Sequence, residues 1–173
     1  PTVGDTTVSL HGDRFGAANA TINIVVGGRQ WPNITRHNST WISVLSLPGT
    51  GANHSIRLII DGIEGTTNVS ALFSYYPPNI SSVISPPYLG GTVQVKGTNF
   101  GPTLDKLAVD IRHGDCTVSC TDVEITSDGL QCQYGMTGSS GGRRIVVVNV
   151  DGQASNTLRA GIIERGQPAR HDS

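Results

Sequence analysis

Charge is scarce in this chain: Asp, Glu, Lys and Arg make up 14% of its 173 residues, the net charge is −1, and lysine occurs only at 96 and 106. Such a balance leaves no basic footprint for nucleic acid or for an anionic membrane surface. Long apolar runs are missing too, so nothing approaches the roughly 20 residues of a membrane-spanning helix, and no signal-peptide pattern opens the chain. No window carries a convincing 3.6-residue apolar period, which removes amphipathic helices from the reading. What remains is 22 glycines and 9 prolines punctuating short β-branched stretches, the composition of a turn-rich all-β protein.

The alternation predicts strands at 6–11, 22–26, 41–46, 56–60 and 69–75, then at 79–85, 92–96, 107–111, 129–133, 144–150 and 156–163. Asp61-Gly62 and Asp151-Gly152 each follow an apolar run and supply a tight turn with positive φ. Residues 7–16 (TVSLHGDRFG) return at 92–101 as TVQVKGTNFG, an offset of 85. That offset carries Ile24 onto Val109 and Trp31 onto Cys116; from Ile42 and Cys132 onward it becomes 90. The chain is one module written twice, the second copy about five residues longer between 116 and 132. A unit of this length is a domain in its own right, and two face-to-face antiparallel sheets per unit are the natural way to bury such strands. The expected division is 1–77, 78–163 and a polar tail at 164–173.

The opening of the second copy, ISSVISPPYLGGTVQVKGTNFG, resembles the start of the IPT/TIG family of immunoglobulin-like domains. The 146–152 strand and turn with Ala154-Ser155 after it look like that family's last hairpin. The resemblance covers nearly all of the second copy and most of the first, and it implies two tandem immunoglobulin-like β-sandwiches. It also implies a disulfide between Cys116 and Cys132, whose places in the first copy are taken by Trp31 and Ile42. Cys120 is then left over as an inert thiol or an intermolecular bridge, with Cys120–Cys132 as the competing pairing. Three cysteines on so short a stretch lack the partners of a zinc site. Pro1 aligns with Pro86, so the first copy has no counterpart of the second copy's opening strand; a sheet edge there is expected to be open.

Asn19, Asn33, Asn38, Asn53, Asn68 and Asn79 each begin an N-x-S/T sequon. Six of the seven asparagines up to residue 79 qualify, where a Ser/Thr content of about a fifth gives one or two by chance; none of the three later ones does. This pattern predicts N-linked glycans on the first module, an extracellular or cell-surface location and a barer second module on which protein contacts concentrate.

Chemistry is harder to find. Residues 138–142 (GSSGG) match G-x-S-x-G without the strand–elbow–helix that motif needs, and PGTG stands at the corresponding place in the first copy. His11, His37, His54, His113 and His171 show no paired spacing, and Asp105, Asp110 and Asp115 lack the density of a calcium loop. Arg143-Arg144 reads as the solvated start of a strand. No catalytic, cofactor or metal site is expected. Two non-catalytic functions follow. One is a head-to-tail filament or coat, the end of one copy, 164–173 with the more apolar 158–163, lying against the open edge of the next. The other is an adhesion or recognition ectodomain of a larger cell-surface receptor. The resemblance also implies DNA-binding and enzyme-accessory relatives; the sequons and the lack of a basic loop stand against the former.

Overall fold

Alternating Val, Ile and Leu positions turn into strands where the outward residue between them is polar, and glycine or aspartate follows about half of them. The computed structural model describes residues 1–66, 71–84, 90–135 and 144–160. In its first part lie β1 (Thr7–His11), β2 (Ile22–Val26), β3 (Arg29–Trp31), β4 (Ile34–Arg36), β5 (Trp41–Leu45), β6 (His54–Ile60), β7 (Ile63–Glu64) and β8 (Leu72–Phe73). The second part holds β9 (Asn79–Ile84), β10 (Gly91–Thr98), β11 (Leu107–His113), β12 (Cys116–Ser119), β13 (Thr121–Thr126), β14 (Gly129–Tyr134), β15 (Arg144–Val150), β16 (Gln153–Ala154) and β17 (Leu158–Ala160). No helix occurs among the described residues.

The chain divides into two compact units, Pro1–Tyr76 and Pro77–Ser173. In the first, a sheet ordered β1-β5-β4 faces one ordered β3-β2-β6-β7, with β8 also on β6. Phe15, Ile24, Trp31, Ile42, Val44 and Leu58 from both sheets fill the space between them. In the second unit the sheets are β13-β14-β10-β9 and β12-β11-β15-β16, with β17 also on β15, around Val93, Val95, Val109, Leu130 and Val148. Each is an all-β, immunoglobulin-like sandwich.

The duplication is written into the backbone. Arg14 and Asn99 take φ of 60° and 63°, Gly16 and Gly101 77° and 86°, and Asp61 and Asp151 49° and 48°. The repeated G-x-x-F-G is thus a left-handed exit from β1 and β10, and it drops Phe15 or Phe100 into the end of the core. Sequence alternation located the long strands to within a few residues. It missed β3, β4, β7, β12, β13 and β16, which are short or mostly polar and owe their form to ladder partners.

Strand register corrects the alignment of the copies and with it the disulfide. Ile24 pairs with Trp31, and at the matching place Cys120 donates its N–H to the Val109 carbonyl at 2.8 Å. Val8 pairs with Val44, and its counterpart Val93 pairs with Cys132. Trp31 therefore corresponds to Cys120 rather than Cys116, and Val44 rather than Ile42 corresponds to Cys132. The extra residues lengthen the β11–β12 hairpin, ahead of the cysteine and not after it. Cys120 is bonded to Cys132, with Cα atoms 5.7 Å apart. Cys116 stands exposed at the hairpin end opposite His113, displaced along the ladder from Cys120, the cysteine that reaches Cys132. The expected Cys116–Cys132 bond is overturned, and Cys120 is neither spare nor intermolecular.

Arg144 is the other reversal. It is buried at the start of β15 with its guanidinium 5.2 Å from the centre of the Tyr134 ring, not solvated. Asn68, Pro86, residues 138–142, Arg143, His171 and the 164–173 tail lie outside the described residues.

Candidate functional site

The edge of β1 differs most between the two units. In the second, β9 lies along β10: Gln94 faces Ile84, Val95 faces Val83 and Lys96 faces Ser82 before a bulge brings Gly97 to Ile80. Gly97 permits this approach, because a Cβ there would fall 2.1 Å from the Asn79 carbonyl oxygen. Ile80 is held from its other side by Asn156, whose Oδ1 accepts the Ile80 N–H at 2.7 Å and whose Nδ2 donates to its carbonyl at 2.9 Å. Under this cover Val93 and Val95 are 1% and 0% exposed. In the first unit β1 pairs with β5 alone, and among the described residues no strand runs along its other side. Val8 and Leu10, the counterparts of Val93 and Val95, are only half-buried.

Across the outer face of the same sheet runs a row of rings. His11 on β1 is opposite Trp41 on β5, and their rings stack at 5.9 Å with planes 11° apart. His37, just after β4, stacks on Trp41 at 3.8 Å and 17°. The turn between them is tight: the N–H groups of His37 and Asn38 both donate to the Trp41 carbonyl, and His37 Nε2 shares a 2.9 Å hydrogen bond with Ser43 Oγ. Cross-strand aromatic rows stiffen a sheet face and offer their free end to another flat group; here that end is His11, at the open edge. Sequence reasoning treated these histidines singly and passed over Trp41. The available signal was His37 and Trp41 bracketing a sequon turn. Farther along the face, Thr7, Asn33, Ile34, Thr35, Ser43, Val44 and Leu45 line a shallow depression of 380 Å³.

Every described sequon asparagine is exposed: Asn19, Asn33, Asn38, Asn53 and Asn79. Asn33 and Asn53 sit in left-handed turns at φ of 56° and 60°, a conformation asparagine tolerates. Asn38 Oδ1 accepts from the Thr40 N–H at 2.8 Å and from its hydroxyl at 2.9 Å, which leaves the amide nitrogen, the atom a sugar attaches to, out of both bonds. Asn23, which has no sequon, is half-buried and accepts a hydrogen bond from Gln30.

Titratable groups are tied into structure. Arg57 grips both carboxylate oxygens of Glu64 at 2.6 and 2.7 Å, and Lys96 meets Asp128 at 2.7 Å; in each case the hydrogen bond from the cation holds the carboxyl below its usual range. Both pairs are exposed and sit on solvated faces. Asp110 accepts from Ser119 and Asn149, and His54 Nε2 lies 2.8 Å from the Thr50 carbonyl. No cluster of three His, Cys, Asp or Glu residues able to hold a metal occurs among the described residues. No helix among them is long and apolar enough to cross a membrane.

Tyr75 is buried, with its hydroxyl donating to the Leu47 carbonyl at 2.8 Å; Gly49 admits the ring, since a Cβ there would press on the hydroxyl at 2.6 Å. Burial pushes the phenol above its ordinary value, against a smaller pull from Arg29. The unfolded chain therefore ionises this group first, so stability is fully present below about pH 10 and declines above it. Tyr75→Phe is expected to cost about 1 kcal/mol at neutral pH and to flatten that alkaline decline. Urea denaturation at pH 7 and at about pH 10.5 checks both; an undiminished alkaline decline in the variant rules the assignment out.

With two sandwiches in place, the repeated left-handed G-x-x-F-G exit and the terminal hairpin have a common frame. The sequence profile of the IPT/TIG domain matches residues 1–75 and again residues 78–160. The chain belongs to the IPT/TIG family. No curated protein sequence matches it beyond that. Among solved structures, SGBP-B from a complex xyloglucan utilization locus in Bacteroides uniformis is similar at 19% identity and a TM-score of 0.37, over 92% of this chain and 46% of that one. The full extracellular region of plexin A4 is similar at 13% identity and 0.38, over 92% and 23%. SGBP-B of the Bacteroides ovatus mixed-linkage glucan utilization locus, in complex with a mixed-linkage heptasaccharide, is similar at 14% and 0.33, over 91% and 41%. The tandem IPT/TIG chain thus spans less than half the length of each of these.

Proposed function

We propose that this chain is a non-catalytic extracellular glycoprotein whose first IPT/TIG domain recognises an extended segment of a partner chain by adding it as a strand to the open edge of β1. The observation that carries this reading is the half-burial of Val8 and Leu10, where Val93 and Val95 are covered by β9. An alternating strand laid there gains main-chain hydrogen bonds and buries apolar side chains at once, the physics of strand addition. By the register of β9 on β10, the guest runs along residues 9–13, with its outward side chain at the Ser82 place beside His11. Exposed sequons and a disulfide support an extracellular setting.

Fluorescence anisotropy with the hexapeptide of β9, NISSVI, tests the edge on the full 173-residue chain. Saturable binding is expected. A Ser82→Tyr version of the peptide continues the ring row and is expected to bind about three- to tenfold more tightly. Absence of saturable binding by either peptide sinks the proposal.

The second reading keeps the same edge but fills it with another copy, giving a head-to-tail filament or coat. Leu158–Ala160 are already paired with β15 as β17, so a donor would have to come from beyond Ala160. Fibres or concentration-dependent growth in light scattering favour this reading; dispersed monomers at high concentration reject it. A recognition module carried by a larger cell-surface receptor gives monomers that bind the peptide.

A further inference from the structure

The depression on the outer face of the β1-β5-β4 sheet has an N-glycosylation acceptor in its own wall. We infer that the first sugar attached to Asn33 folds back into this depression and serves as part of the first domain's surface. The inference rests on the glycoprotein reading above. Attachment forms a bond between Asn33 Nδ2 and the sugar C1 while the C1–O bond to a pyrophosphate-linked sugar donor breaks. The pyrophosphate leaves with the electron pair, and Nδ2 loses one proton.

Three observations converge. The first is chemistry: Leu45 offers an apolar floor, and Thr7, Thr35 and Ser43 offer hydroxyls around it, which match the C–H face, acetyl methyl and polar rim of an N-acetylglucosamine. A volume of 380 Å³ lies inside the range of about 300–1,000 Å³ typical of small-ligand sites. The second is tethering. Asn33 is fixed in a left-handed turn between buried Trp31 and half-buried Ile34, and Leu45 pairs with Thr7 across the neighbouring strand. Because β4 pairs directly with β5, Leu45 lies about one strand spacing, roughly 5 Å, from Asn33, and a covalently held ligand docks at high effective concentration.

The third is the sequon-poor second domain, which fills the same face with its own side chains. Its counterparts of Ser43 and Leu45 are Gln131 and Gln133. Gln133 donates to Thr92 at 3.0 Å, and Gln131 donates to Glu124. The counterpart of Asn33 is Asp122, also left-handed at φ of 48°, so the second domain keeps the turn and drops the acceptor. Ser43 and Leu45, shorter than the glutamines in their places, stand beside the acceptor, and the longer side chains stand where the acceptor is missing.

The test uses the full chain from a secretory host. Peptide mapping by mass establishes occupancy of Asn33, and NMR on protein carrying 13C-labelled N-acetyl groups reads where the methyl lies. Contacts from the Asn33-linked acetyl methyl to Leu45 are expected. Asn33→Asp, which keeps a residue tolerant of the turn, is expected to lower the first domain's Tm by about 4 °C. Asn19→Asp, which removes a sugar from an exposed turn, is expected to move it by less than about 1 °C. An occupied Asn33 with no acetyl contact to Leu45 overturns the packing alone. A chain with no sugar at Asn33 overturns both the packing and the glycoprotein reading at that position.

Discussion

Trp31→Ala is expected to destabilise the first domain by about 3–5 kcal/mol. The side chain is 2% exposed, opposite Ile24 in the ladder, and meets Phe73 edge-on at 4.9 Å; Phe73 in turn meets Tyr75 edge-on at the same distance. Trp31 thus joins the β2–β3 hairpin to the aromatic pair that carries β8 back to β6. Deleting a buried tryptophan costs about 3–5 kcal/mol, and a small domain holds only about 5–15 in total. Both tryptophans of the chain, 31 and 41, lie in this domain, so the exposed Trp41 still reports its unfolding in the variant. Urea titration followed by tryptophan fluorescence should show the transition displaced by at least about 3 kcal/mol or already complete in buffer. Trp31→Phe, which keeps an aromatic edge contact, is expected to retain most of the stability. A Trp31→Ala transition within about 1 kcal/mol of the parent removes Trp31 from the centre of the core.

Cys120→Ser is expected to destabilise the second domain by about 3 kcal/mol, the chain-entropy value for a loop of this length, whereas Cys116→Ser leaves it unchanged within about 0.5 kcal/mol. The bond spans a sequence separation of 12 and fastens the segment after β12 to β14. Its counterpart in the first domain is the uncrosslinked contact region of Trp31 and Val44, both fully buried in one cluster. One copy thus holds its two sheets together at this place with a large ring, the other with a covalent link. Amide hydrogen exchange at Val109 and Val93 reads the second domain directly. Should Cys116→Ser prove costly and Cys120→Ser neutral, the pairing is reversed and the Trp31–Cys120 equivalence falls with it.

Much of this was legible in the chain. Alternation gave the long strands, and the 85-residue repeat gave two sandwiches, because a buried face demands period two and a left-handed exit demands glycine at fixed spacing. The 85-residue offset misplaces Cys116, since lengthening a hairpin moves residues without moving the ladder, and only register shows which cysteine lies opposite Val109 and level with Cys132. The sequon asparagines were readable because their exposure follows from turns rich in Asn, Ser and Thr. The row of His11, Trp41 and His37 was not, for its members lie up to 30 positions apart and meet only when β1 and β4 flank β5. Arg144 looked solvated because a strand of the facing sheet, not its own sequence, supplies the Tyr134 ring that covers it.

Asn156 engages both polar groups of Ile80, so in the second domain a single amide does the work of an absent neighbour strand. Thr66 stands at the matching position of the first domain and has no such amide to offer. The two halves are therefore unequal at this spot: Asn156 pins the strand beside β10 in the second, and among the described residues β1 has a strand on one side only in the first. If recognition works by strand addition, as proposed above, an incoming segment is admitted by the first half and refused by the second, where it must evict a doubly bonded occupant.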